Sequence, residues 1–328
     1  MTSETLTLAD AMDLDFDAEL QRCRERIRQT LRSDLHRRGL VVAISGGIDS
    51  SVSAALAVHA IGAKRVFGLL MPERDSSSES TRRGRMLADH LGIEFTVKDI
   101  APTLESIGCY ESRDQAIKEL FPNYNEGWKS KIVIAGGIEG KVNHFVLVVE
   151  DVQQQRHEVR LPLKQYLTIV AATNFKQRIR KTLEYFHADR LNYAVVGTPN
   201  RLEYDQGFFV KGGDGLADLK PIAHLYKTQV YGLAKHLGLP QDICGAVPTT
   251  DTYSLSQGQD EFYFALPYQK MDLALWGINH GVPAAELGAA IGLTSQQTDL
   301  VYADIRNKRR TTRYLHLGAR LIEDVETG

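Results

Sequence analysis

Within Val41-Val42-Ala43-Ile44-Ser45-Gly46-Gly47-Ile48-Asp49-Ser50-Ser51-Val52 an apolar run breaks into glycines and hydroxyls and then resumes at helical spacing. The pattern is that of a strand, a phosphate-sized loop and a helix. Val41 to Ile44 suit a buried parallel strand, while Gly46 and Gly47 allow close approach of a ligand and positive φ. The helix is expected to begin near Asp49. Its first amide N–H groups lack intrahelical partners and carry the positive end of the helix dipole. With the hydroxyls of Ser45, Ser50 and Ser51 they make a receptor for an oxyanion. Asp49 would repel a bare phosphate, so the arrangement makes chemical sense with a magnesium ion between them. The same residues also fit a plain strand-to-helix turn, or a variant nucleophile elbow that Ala43-Ile44-Ser45-Gly46-Gly47 only approximates.

Working outward, Phe16 to Arg38 has helical spacing (Phe16, Leu20, Cys23, Ile27, Leu31, Leu35), with Asp15 or Asp17 to cap it and Gly39 to stop it. Ser50 to Ile61 continues the helix after the loop, and Arg65 to Met71 predicts a second buried strand. Two strands joined by a helix form a right-handed βαβ unit with a parallel sheet. A helix from Glu79 to Leu91, a strand from Ile93 to Val97, helices near Pro102–Ile107 and Ser112–Leu120, a long helix from Leu167 to Asp189 and a strand from Asn192 to Val196 extend the pattern. The fold class is α/β, a doubly wound parallel sheet. Lys131–Ala135, Asn143–Glu150 and Arg156–Leu161 interrupt it as three strand-like segments without helices, so a small antiparallel β insertion is expected at about 129–164. That insertion could cover a site, mediate association, bind a partner or be a passive surface addition. The whole is expected to be one domain over 1–328, ending in a helical tail at about 260–328.

Loops at the carboxyl ends of the parallel strands are where open α/β sheets bind ligands. Pro72 to Ser78 is one, and Gly197-Thr198-Pro199-Asn200-Arg201-Leu202-Glu203 is another. Placed beside the first loop, the latter brings Glu203 toward Asp49, and two acidic oxygens with phosphate oxygens are a magnesium donor set. The bland alternative makes Asp49 a helix cap and Glu203 a solvated acid. Gly207 to Asp218 is too glycine-rich for regular structure and too aromatic for a solvated linker, as a substrate-binding loop would be. Lys227, at the start of the next helix, is a poor match to the helix dipole, which points to a nearby anion unless it is a plain surface lysine.

The 328 residues suffice for a full core, and the net charge of −2 argues against a bulk nucleic-acid or membrane-surface binder. Cys23, Cys109 and Cys244 are too few and too scattered for a disulfide framework or a structural zinc site. No run of about 18 apolar residues occurs, and the acidic N-terminus lacks a signal-peptide pattern. A cytoplasmic location is expected, with no membrane and no nucleic-acid partner.

The Ser-Gly-Gly-x-Asp-Ser pattern of Ser45 to Ser50 resembles the pyrophosphate loop of the ATP pyrophosphatase superfamily. Together with Asn174-Phe175-Lys176-Gln177-Arg178-Ile179-Arg180, Gly197 to Glu203, Gly207 to Asp218, Leu225-Tyr226-Lys227-Thr228 and Val247-Pro248-Thr249, it resembles the NAD synthetase family, especially its ammonia-dependent form. The resemblance implies a sheet of the adenine-nucleotide alpha-hydrolase-like type. It also implies that Ser45, Gly46, Gly47, Asp49, Ser50 and Ser51 hold the ATP phosphates, with Arg178 and Thr198 near the nucleotide. Lys227 would neutralise the leaving pyrophosphate, and Asp49 and Lys227 would carry the catalysis. Asp49, Glu203 and Thr249 match magnesium-holding positions. Phe208, Lys211, Asp214 and Asp218 fall where the family handles the nicotinate end of the dinucleotide. Asn307-Lys308-Arg309 resembles a basic tail motif over the site, which usually begins with His, so Lys308 and Arg309 are further substrate-binding candidates.

The implied chemistry is ATP-dependent amidation. The carboxylate of deamido-NAD attacks the α-phosphorus of ATP and expels magnesium pyrophosphate, and ammonia then converts the acyl-adenylate to NAD and AMP. Positioning and charge neutralisation suffice for this, with no side-chain nucleophile. About 40 residues before Ser45 are too few for a glutamine-hydrolysing domain, so ammonia is expected from solution or a separate protein. A homodimer is implied by the resemblance alone. Lys211-Gly212-Gly213-Asp214-Gly215-Leu216-Ala217-Asp218 and Thr250 to Phe264 depart from the family pattern on the acceptor side, so the alternative is the same chemistry on another carboxylate. A tRNA-modifying relative is disfavoured by the charge and the lack of paired cysteines. A non-catalytic nucleotide-binding protein fits poorly with Asp49, Glu203 and Lys227 together.

Overall fold

The computed structural model describes residues 10–135, 144–246, 253–255, 258, 263–264 and 266–326. α1 (Phe16–Gln29) precedes β1 (Leu40–Ala43), α2 (Ile48–Ile61) leads to β2 (Val66–Leu70), and α3 (Ser78–Leu91) leads to β3 (Glu94–Val97). After α4 (Ala101–Ser106) and α5 (Cys109–Lys118) come β4 (Lys129–Ala135), β5 (His144–Glu150) and β6 (Arg156–Arg160). The long α6 (Leu163–Leu191) then returns the chain to β7 (Ala194–Val196). α7 (Arg201–Gln206), α8 (Lys227–His236), α9 (Gln241–Cys244), α10 (Tyr268–His280), α11 (Ala284–Ile291) and α12 (Ser295–Thr312) follow.

The main sheet has the order β3-β2-β1-β7, all parallel. Alternation along its strands sorts side chains to two cores. Leu40 and Val42, Val66 and Leu70, and Ala194 and Val196 share one core with α1, α2 and α8. Val41, Phe67, Leu69 and Val195 share the other with Leu104 of α4, Tyr110 of α5 and Ala188 of α6. Helices on both faces make the α/β class doubly wound, as expected. The second sheet, β4-β5-β6, is antiparallel. It is anchored on α5 and α6 by Ile132, Leu147 and Val149 against Ala116, Ile117 and Ile169. Among the described residues no helix is long and apolar enough to cross a membrane, and all three cysteines are buried free thiols.

The first helix is shorter than its spacing predicts. Asp15 caps it by accepting from the Ala18 amide at 3.0 Å, but α1 ends at Gln29 and Thr30–Asp34 forms a π-helical turn. His36 follows with φ 51°, and the Arg38 amide donates to the Asn192 carbonyl at 2.9 Å. The chain must reverse there to enter β1 beside the start of β7, and the widened turn makes that reversal.

Candidate active site

The carboxyl ends of β1, β2 and β7 open on a cavity of about 610 Å³. Ser45, Gly47, Asp49 and Ser50 of the first loop line it, as do Arg178, Thr198, Glu203, Phe208, Lys211, Asp214 and Lys227. The loop is braced by its own hydroxyls. Ser50 Oγ lies 3.1 Å from Ser45 Oγ and donates to the Gly47 carbonyl at 3.0 Å, and Ser51 Oγ donates to the same carbonyl at 2.8 Å. Ser51 is fully buried, so it shapes the loop from behind. Only Gly46 takes positive φ (80°); Gly47, at −87°, is the extended cap of α2. A Cβ on Gly46 would lie 2.3 Å from the Ser80 carbonyl oxygen, so the close approach of α3 by itself requires glycine here.

Lys227 is no surface lysine; it is 2% exposed and its ammonium is ion-paired with Asp49 across the cavity floor. Burial opposes its charge, but attraction to Asp49 and then Glu203, with the Asp49 hydrogen bond, outweighs it and holds the lysine above its ordinary pKa. The other Asp49 oxygen accepts from Asn200 Nδ2 at 3.0 Å. Asn200 caps α7, and Glu203 closes a capping box by accepting from the Asn200 amide at 3.1 Å. Glu203 therefore sits in the first turn of a helix, where a loop was expected, and a fixed geometry ties it to Asp49. The poor dipole match of Lys227 is offset from α10. Asp272 accepts from the Lys227 amide (3.2 Å), the Thr228 amide (2.7 Å) and Thr228 Oγ1 (2.6 Å), capping α8 from a distance. Burial raises Asp272 to about 6, despite the hydrogen bonds that favour its anion.

The segment leading into Lys227 is held from α1. His224 Nε2 donates to Glu19 Oε1 at 2.7 Å, and Arg22 donates to Oε2 at 2.7 Å. Burial works to raise the Glu19 pKa, but hydrogen bonds from His224, Cys23 and Arg22 hold it down at about 2. A depressed carboxylate stabilises the fold above its unfolded value of 4.5, and that contribution is lost as pH falls through about 2. The stability gap between the wild type and Glu19→Gln is expected to narrow by on the order of 2 kcal/mol from pH 7 to pH 3. Urea midpoints at the two pH values measure it, and an unchanged gap refutes the linkage.

The Gly207–Asp218 loop wraps the opposite side. Phe208 stacks on Tyr263 with centroids 4.6 Å apart, and Asp214 accepts from the Val210 amide at 2.7 Å. Desolvation raises the Asp214 pKa. Lys211 donates to the Tyr314 and Leu317 carbonyls at 2.8 and 2.7 Å, and Arg178 Nε donates to the Lys211 carbonyl at 3.3 Å. Asp218, Lys308 and Arg309 do not line the cavity. Asp218 accepts from Tyr185 Oη (3.1 Å) and the Val195 amide (2.7 Å), pinning the loop to β7. Lys308 donates to Asp304 and the Tyr263 carbonyl, and Arg309 grips Asp205 through two nitrogens at 2.6 and 2.8 Å. Thr249 and most of Thr250–Phe264 lie outside the described residues.

Several lining or supporting groups escaped the sequence reading. Arg83 of α3 borders the cavity and donates to the Gly46 carbonyl at 3.2 Å. Lys176 bonds Glu73 at 3.0 Å and Asp75 at 2.7 Å; Asp75 also takes Arg113 at 2.6 Å, and Glu73 takes Tyr110 Oη at 2.8 Å. This buried network locks the loop after β2 to α5 and α6. The Asn200–Glu203 capping box was legible as an N-cap residue followed three positions on by Glu; the network, assembled from distant elements, carries no local signal.

Magnesium fits these residues. Asp49 and Glu203 offer hard carboxylate oxygens, and no Cys or His borders the cavity among the described residues.

The NAD synthase family model matches residues 19–155 and 142–313, and the two matched segments overlap within the β insertion. The chain is 59% identical to the NH(3)-dependent NAD(+) synthetase of Rhizobium meliloti (strain 1021), over 97% of this chain and 95% of that one. Its fold is similar to that of an NMN synthetase from Francisella tularensis, with TM-score 0.63, 20% identity, and 94% of this chain and 99% of that one covered. It is also similar to an NH3-dependent NAD synthetase from Campylobacter jejuni, with TM-score 0.61, 20% identity, and 95% and 100% covered. At that identity the structural likeness speaks for the fold alone. Matched by the family model over most of its length and by a relative of 59% identity nearly end to end, the chain belongs to the NAD synthase family.

Proposed function

We propose that the chain is an ammonia-dependent NAD synthetase, a ligase that adenylates the carboxylate of deamido-NAD with ATP and amidates it to NAD, releasing AMP and pyrophosphate. The observation that carries this is the buried Asp49–Lys227 pair, with Glu203 beside it, on the floor of the cavity at the sheet's carboxyl edge. The relative named for that reaction supports it.

The substrate carboxylate attacks the α-phosphorus and the bond to the β-phosphate breaks. Charge then accumulates on the leaving pyrophosphate. Lys227, kept charged by its acidic neighbours, and the amides at the start of α2 neutralise that charge without reorganising, which is where most of the rate gain arises. Asp49 and Glu203, with Thr249, would hold magnesium, which when bound supplies further charge neutralisation to the phosphates. Arg178, Thr198, Ser45 and Ser50 orient the nucleotide. Phe208, Lys211 and Asp214 face the acceptor, while Asp218, Lys308 and Arg309 act by holding the loop and tail in place. Ammonia attacks the acyl carbon, AMP leaves, and a proton is lost to solvent. Ammonia reaches the site from solution or from a separate protein. The enzyme works in the cytoplasm, where its buried thiols stay reduced, and as a homodimer.

Supplied with deamido-NAD, ammonia and MgATP, the protein is expected to form NAD, AMP and pyrophosphate in equal amounts. AMP formation with another carboxylate and no NAD would move the assignment to that acceptor, a reading favoured by the divergent Lys211–Asp218 loop.

A further inference from the structure

We infer that the β insertion and the segment Tyr253–Leu255 together form the acceptor-side wall of the cavity, with the stacked rings of Phe145 and Tyr166 as a platform for a planar heteroaromatic ring of the acceptor. The inference rests on the proposed function and assigns the insertion a part in it. Phe145 comes from β5 and Tyr166 from α6; their centroids are 4.3 Å apart with an interplanar angle of 16°, and both border the cavity with Tyr253. Each ring is only half-buried, so the stack keeps surface toward the cavity.

The wall is one physical unit although its parts are far apart in sequence. The Leu255 amide donates to the Ser130 carbonyl at 3.1 Å, and Ser254 Oγ accepts from the Ser130 amide at 2.9 Å, which pins this segment to β4. Leu255 packs with Val146 and Val148 of β5, while Tyr253 joins Ile132 and Leu147 in the core beneath the sheet. Phe145 of β5 and Tyr253 of that segment thus border the same cavity. A passive surface addition would not reach it.

The ring held there belongs to the acceptor and not to ATP. The phosphate loop, Asp49 and Lys227 all stand on the parallel sheet and its helices, whereas Phe145 stands on β5 of the second sheet. With the ATP phosphates assigned to the loops of the parallel sheet, the platform on the second sheet falls to the other substrate. A flat apolar platform suits a nicotinate or purine ring, both of which stack through their faces.

The test compares Phe145→Leu and Tyr166→Leu, which keep apolar bulk against the core but lose the flat face, with Phe145→Trp, which keeps it. The leucine variants are expected to raise KM for deamido-NAD roughly tenfold, with KM for ATP and Tm unchanged, and Phe145→Trp to stay near the wild type. An unchanged KM for deamido-NAD in folded leucine variants overturns the inference. So does an equal rise in KM for ATP, which would mark a merely structural stack or a ring serving ATP. A wild type that forms no NAD at all overturns the proposed function first and this inference with it, a result distinct from the others because it appears before any substitution.

Discussion

Asp49→Asn is expected to lower the rate of pyrophosphate release by roughly 10²- to 10³-fold, the usual loss when one preorganised charge-stabilising group is removed from an active site. Asparagine preserves the acceptor for Asn200 Nδ2, so the start of α7 and the loop keep their places. What is lost is charge. Lys227 is 2% exposed, and without Asp49 its ammonium loses its strongest attraction and a direct hydrogen bond and keeps the weaker pull of Glu203, so its pKa falls. Breaking a buried pair by removing one partner costs about 3–5 kcal/mol, so the single variant loses stability as well as activity. Adding Lys227→Met removes the stranded cation. The double variant is expected to regain much of the urea midpoint while remaining inactive, and the cycle isolates the coupling between the two residues. Full activity in Asp49→Asn sinks the catalytic assignment, and additive losses of stability sink the pairing.

Lys176→Met carries the second large effect, this time on stability. Glu73 and Asp75 are 0% and 5% exposed at their side chains, and Lys176 is 3% exposed between them. Burial raises the Asp75 pKa, but Lys176 and then Arg113 attract its anion more strongly and hold it below the usual carboxylate range. Removing the ammonium leaves Arg113 to neutralise two buried acids. The expected loss is about 3–5 kcal/mol, read as a fall in Tm and urea midpoint. Glu73→Gln added to Lys176→Met should recover part of it by matching the charge count again. Stability unchanged in the single variant would show that the network is solvated and does not lock the loop after β2.

How much of this was legible beforehand differs by element. The strands of the parallel sheet were, because β1, β2 and β7 are short apolar runs buried on both faces, and so was the oxyanion loop between β1 and α2. The three insertion strands were visible as segments, yet nothing in them said that β5 would place Phe145 in the cavity. The end of α1 was misplaced because Leu31 and Leu35 keep helical spacing, and spacing alone cannot register a reversal imposed by the approach of β7. Lys227 left two alternatives open because its burial depends on α10 and on Asp49, not on its neighbours in sequence. Asp218, Lys308 and Arg309 were placed at the site by the family resemblance, and their internal partners come from elements far away in sequence.

The sequence by itself determined the local chemistry: apolar period, turn residues and the Ser45–Ser51 loop, all set by interactions spanning a few residues, which made the sheet class and the phosphate receptor readable. Only the tertiary structure decided which charges meet. Asp49 and Lys227 lie 178 positions apart and Lys176 and Glu73 lie 103 apart, and each pair forms because the fold brings a helix, α8 or α6, to the carboxyl edge of the sheet while burial removes the water that would screen the charges.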